Sequence, residues 1–166
     1  MLFKPLKRKI TTMTNNEQLS ETLNDLVRIN NDRVTGYEKA SDETKDTDVD
    51  LQATFLKMAD ESRTYIKELN DKILSLGGQS SSDTTTAGKI YRVWMDVKNT
   101  FTGADRESIL GACEFGEDAA QKAYNEALES DAEMDATTRQ LIMEQKNSLK
   151  NSHDIIKRYR DLHDVS

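Results

Sequence analysis

Leu19, Leu23, Leu26, Asn30, Val34 and Tyr37 recur at steps of three and four residues. A stripe with that period is the mark of an amphipathic helix. The pattern predicts a first helix from about Asn16 to Ser41, opened by Thr14-x-x-Glu17, a spacing at which threonine and glutamate cap the helix reciprocally. A short polar turn, Asp42 to Asp48, leads into a second helix from about Val49 to Leu76. Its stripe runs through Leu51, Phe55, Met58, Ser62, Tyr65, Leu69, Ile73 and Leu76, and Gly77-Gly78 reads as its C-cap. Composition then shifts to Gly, Ser and Thr from Gly77 to Gly88, the signature of a linker. A short helix is expected from about Lys89 to Phe101, with Ile90, Trp94, Val97 and Phe101 on one side.

The third long helix is expected from about Asp105 to Leu128, aligning Leu110, Cys113, Glu117, Ala120, Tyr124 and Ala127. The fourth, from about Asp135 to His163, aligns Ile142, Gln145, Leu149, Ser152, Ile156 and Tyr159. Short turns join helices one to two and three to four, so each pair packs antiparallel. The connection between the pairs is about long enough to travel a bundle helix at 1.5 Å per residue. The expected fold is therefore all-α: an antiparallel four-helix bundle of the ferritin-like arrangement, with a long crossover carrying a short helix.

The chain has 166 residues, enough for one domain that buries roughly 70% of its unfolded surface. Residues 1–15 are expected to be a disordered basic extension, with Met13 a candidate natural start, and residues 16–166 a single bundle domain. A formal charge of −7 argues against nucleic acid and against anionic membranes as partners. No stretch approaches the roughly 18 apolar residues of a membrane span. Cys113 is the single cysteine, which precludes an intramolecular disulfide and a thiolate zinc site and fits a reducing compartment.

The chemistry lies in polar residues that interrupt the stripes. Stepping 100° per residue puts Asn30 and Ser62 at their seam centres. Glu117 falls close to its own, Gln145 and Ser152 lie inside, and His153 sits at a boundary. All lie near mid-helix, so they are expected to share a layer. The main reading is a buried polar layer of Asn30, Ser62, Glu117 and Ser152 that fixes helix register, needs no cofactor and tolerates Glu117→Gln. A di-iron site draws a Glu from each of two helices and Glu-x-x-His from each of the other two, and the chain contains no Glu-x-x-His. The alternative is a degenerate ferritin-type site for iron or manganese built from Glu61, Glu117 and His153, in a redox or storage protein. Each long helix also places one tyrosine in its seam: Tyr37, Tyr65, Tyr124 and Tyr159. No catalytic site is expected, because two histidines and one cysteine assemble neither a triad nor a Cys-His pair.

Several segments resemble a known family. They are Tyr91 to Lys98 (Tyr-Arg-Val-Trp-Met-Asp-Val-Lys), Phe101 to Asp105, Ile109 to Asp118 with its Cys-Glu-x-Gly-Glu-Asp, Tyr124 to Leu128, Leu23 to Leu26 and Gly36 to Ala40. The chain from about residue 18 onward is similar to a bacterial group of uncharacterised four-helix-bundle proteins in the ferritin-like superfamily. The resemblance implies a ferritin-like fold and a bacterial cytoplasmic protein, and supplies no activity. The resulting expectation is a non-enzymatic binding, assembly or stress-associated protein. A homo-oligomer is one expected form; the crossover helix with Trp94, Met95 and Phe101 is expected to cover the bundle, with docking of a protein partner there as the alternative.

Overall fold

The computed structural model describes residues 14–79 and 105–165, with side chains to residue 162. Four helices fill those stretches: α1 (Asn15–Thr44), α2 (Val49–Ser75), α3 (Arg106–Glu129) and α4 (Ala136–Val165). The short helix expected around Trp94 and the basic segment before Met13 lie outside the described residues.

One device starts every helix. The side chain of Thr14, Asp48, Asp105 or Asp135 accepts from the backbone amide three residues on, at 3.1, 3.0, 2.8 and 2.8 Å respectively. Each satisfies one of the amides that a helix N-terminus leaves without an internal partner. Thr14 Oγ1 also donates to Glu17 Oε1 at 3.1 Å. At the far end of α2, Gly77 N donates to Leu74 O and Gly78 N to Ile73 O, both at 3.0 Å, the pair of bonds of a Schellman turn.

The two glycines there serve different needs. Gly77 has φ +81°, a left-handed conformation that L residues rarely adopt. A Cβ on Gly78 would lie 2.6 Å from Ser20 Oγ and 2.9 Å from Ser20 Cβ, because the turn presses on α1. Gly78→Ala is accordingly expected to destabilise the protein by about 1–3 kcal/mol through overpacking. Ser20→Gly in the same chain should recover most of that loss in urea titrations.

Contacts between elements set the topology. α1 packs most extensively against α2, α3 against α4, α1 less extensively against α3, and α2 only loosely against α4. Asn15 on α1 bonds Glu133 beyond the end of α3, while Arg106 at the start of α3 bonds Asp48 at the start of α2. Helices α1 and α3 thus run antiparallel, and the end of α2 and the start of α3 sit at opposite ends of the bundle.

Leu23, Leu26, Leu51, Phe55, Leu69 and Ile142 are fully buried in the central core. Two positions depart from the expected stripes. On α1, Arg33 is completely buried while Val34 stays half-buried, so the seam runs through the charged residue. On α4, Tyr159 is part-exposed, with the Arg106 guanidinium 5.9 Å from its ring centroid. A groove of about 460 Å³ opens along the loose α2–α4 seam, with Met58, Glu61, Ser152 and Tyr159 among its walls.

Candidate functional site

Helix α1 directs Asn30, Arg33 and Tyr37 inward on successive turns. Arg33 meets Glu117 of α3 in a two-pronged pair: Nε to Oε1 at 3.1 Å and Nη2 to Oε2 at 2.7 Å, both side chains fully buried. The Tyr37 hydroxyl donates to the same Oε2, and Arg33 Nη1 donates to Ser62 Oγ of α2. The guanidinium carbon also lies 5.1 Å from the Tyr37 ring centroid, within cation–π range. Both oxygens of Glu117 therefore face donors, one of them a cation.

The electrostatics follow from burial and charge. Burial by itself lowers the pKa of Arg33, but the charge and hydrogen bond of Glu117, with smaller contributions from Tyr37 and Glu61, together outweigh this and the guanidinium stays firmly protonated. Burial, then the nearby Glu117 charge, pushes the Tyr37 hydroxyl well above its ordinary value, so Tyr37 remains a neutral donor.

A second arm leaves from Ser62. Its Oγ donates to Asn30 Oδ1 at 2.8 Å, and Asn30 Nδ2 donates to Leu26 O and to Tyr124 Oη, each at 2.8 Å. Tyr124 Oη donates to Gln145 Oε1 at 2.6 Å, and Gln145 Nε2 donates to Glu68 Oε1 at 3.0 Å. The chain of bonds thus runs from buried Glu117 to the exposed edge of α2 and touches all four helices. In a low-dielectric interior such a network is stabilising when every member is bonded.

The expected site residues are only partly brought together. Asn30 and Ser62 bond directly, and Glu117 joins them through Arg33. Ser152 lies apart, its Oγ 3.4 Å from Glu61 Oε1 on the groove between α2 and α4. Burial raises the pKa of the half-buried Glu61, and the Arg33 charge partly opposes that rise. His153 faces outward: Nε2 is 2.8 Å from Asp118 Oδ1, and Nδ1 is 3.3 Å from Asp154 Oδ1. Among the described residues, no three His, Cys, Asp or Glu side chains are grouped to hold a metal ion.

The donor set does not fit a divalent cation at the centre. Such an ion would have to take Glu117 from Arg33 while facing the guanidinium charge at close range. The tolerance expected of Glu117→Gln changes for the same reason, since an amide would leave that charge unbalanced and set an NH2 group against it.

Sequence reasoning missed Arg33. The signal was available: a lone seam carboxylate demands a counter-charge, and Arg33, three residues after Asn30, lies within about 60° of the α1 seam centre.

Residues 18–130 match the family described as "Domain of unknown function (DUF2383)". Among solved structures, a single-substitution mutant of Dps1 from Mycobacterium smegmatis superposes with a TM-score of 0.71 at 12% identity, covering 90% of this chain and 99% of that one. At that identity the likeness is one of fold. No curated protein matches the chain. Among the described residues, no helix is long and apolar enough to cross a membrane.

Proposed function

Taking as premise that the chain belongs to the DUF2383 family and carries a ferritin-like four-helix bundle, we propose that it is a non-enzymatic protein acting through its outer surfaces in binding or assembly. Its centre is closed by a buried ion pair. The observation that carries this reading is the two-pronged Arg33–Glu117 pair at mid-bundle, with Tyr37 on the same carboxylate. It fills the layer in which a ferritin-type site would gather carboxylates and imidazoles. The single cysteine supports the same view: Cys113 is fully buried, and burial pushes its thiol well above the usual range, which leaves it unreactive.

The test is metal binding by the full chain, using anaerobic Fe(II) and, separately, Mn(II), with bound metal measured by elemental analysis after dialysis. The expected result is metal far below one equivalent and an unfolding midpoint that saturating metal does not shift. One or more equivalents bound, and lost in Glu61→Ala, would overturn the closed-centre reading in favour of a degenerate iron or manganese site. Glu61 is only half-buried, so that variant is expected to fold.

A further inference from the structure

Helix α2 carries a second stripe, turned away from the core. Val49, Leu56, Asp60, Arg63, Lys67 and Leu74 are all exposed, with Val49 at 70%, Leu74 at 63% and Leu56 at 45%. At 100° per residue the six fall within an arc of about 60°. Their spacing of seven, four, three, four and seven residues is that of a coiled-coil seam. Of the six large hydrophobic side chains exposed among the described residues, three lie on this one face.

The order of residues along this face is what points to an occupant. From the N-terminal end it runs Val49, Leu56, Asp60, Arg63, and from the C-terminal end Leu74, Lys67, Arg63, Asp60, so an aliphatic residue stands first, a leucine matches a lysine stem second, and an acid matches a base at the centre. Two copies of α2 laid antiparallel about a twofold axis between Glu61 and Ser62 bring Val49 opposite Leu74, Leu56 opposite Lys67, and Asp60 opposite Arg63. That axis falls at the middle of the 27-residue helix.

Each pairing is complementary. The ends bury aliphatic side chains, the lysine stem covers a leucine, and the centre sets two acid–base pairs across the axis. Within one copy, Arg63 already bonds Asp60 and Glu38, so the acidic and basic groups are held at the surface in the required places. Other arrangements fail on charge. A parallel pairing sets Asp60 against Asp60 and Arg63 against Arg63. An antiparallel slip of one heptad in one direction sets Lys67 against Arg63, and in the other sets Asp60 against Leu56 and leaves both central acid–base pairs unmade.

We propose that the exposed face of α2 is a self-complementary docking surface, on which a second copy of this chain packs antiparallel about a twofold axis. The interface is isologous, the arrangement that closes as a dimer. It deepens the reading of the bundle as a protein of binding and assembly by naming the partner. One helix per copy, about 40 Å long at 1.5 Å per residue, falls short of the roughly 800 Å² per partner of a standard stable complex. The dimer is therefore expected to be concentration-dependent.

The test is analytical ultracentrifugation of the full chain over a concentration series to millimolar, alone and with two charge reversals. Asp60→Arg makes both central positions of the stripe basic, and Arg63→Asp makes both acidic. Each variant alone is expected to dimerise at least about tenfold more weakly than the wild type, because both central pairs become repulsive. Mixed in equal amounts, the two variants are expected to associate again, since the basic face of one meets the acidic face of the other.

The mixing result separates an intermolecular pair from the Asp60–Arg63 contact within one helix, which stays broken in both variants. Leu56→Lys, which sets a second ammonium against Lys67 at both ends, gives a break independent of the central charges, and circular dichroism checks that all three exposed substitutions leave helix content intact. A wild type that stays monomeric throughout, a dimer indifferent to the reversals, or variants that do not recombine would each overturn the proposal. None of those outcomes touches the closed-centre reading, which stands or falls on the metal titration.

Discussion

Glu117→Leu is expected to lower the unfolding free energy by about 3–5 kcal/mol, because it strands a fully buried guanidinium. Domains are stable by only about 5–15 kcal/mol, so the variant should be marginal at room temperature. The loss is not the worth of the ion pair. It is the expense of leaving Arg33 in an apolar interior without its partner, and two further groups share in it. The Tyr37 hydroxyl loses its acceptor, and Ser62 is held by a cation that no longer has a counter-charge.

The prediction is therefore one of rescue. Replacing Arg33 by Met in the same chain removes the stranded charge, and Tyr37→Phe removes the orphaned hydroxyl. The triple variant is expected to return close to wild-type stability, since well-packed apolar replacements of buried ion pairs are often neutral or better. Urea denaturation of the four proteins at one pH decides the matter. If Glu117→Leu alone unfolds within about 1 kcal/mol of the wild type, the pair is not the closed centre described above.

Phe55→Ala is expected to cost a similar amount, about 3–5 kcal/mol, by an unrelated mechanism. Phe55 is fully buried on α2, its ring centroid 5.7 Å from that of Tyr37 with the planes tilted by 34°. Truncation removes apolar contact and leaves a cavity under the ring whose hydroxyl holds Glu117. No second substitution at a charged position should rescue it, whereas Phe55→Leu, which keeps most of the volume, should lose only about 1–2 kcal/mol. The two series together distinguish a hole in the packing from a hole in the charge balance. A Phe55→Ala protein recovered by Arg33→Met would show that the two are not separate.

Much of the fold was legible because it rests on periodicity and caps. The stripe from Leu51 to Ile73, the Thr14-x-x-Glu17 pattern and the Gly77-Gly78 stop each have a local cause, and each appears where the spacing put it. Helix ends shifted by up to three residues, as at Thr44, whose single side-chain hydroxyl bonds back to Ala40 O and Ser41 O beyond the expected end of α1.

The centre was legible only in half. Asn30, Ser62 and Glu117 stood out as polar groups in an apolar stripe. Arg33 did not, because a helical wheel reads a charge beside Val34 as the outer face. Position alone does not separate those two residues, since they flank the seam about equally. What separates them lies 84 positions away, in a buried carboxylate on α3. A single helix read by itself carries no trace of that requirement.

That distance has a consequence for how the sequence can drift. The apolar seams of α1 and α3 can change one residue at a time, since a leucine for a methionine is a small step. Positions 33 and 117 cannot. Any route from the charged couple to an apolar one passes through a chain that has lost a large share of its margin, whichever residue goes first. Among members of the family the two positions should therefore vary together or not at all, with arginine at one predicting an acid at the other.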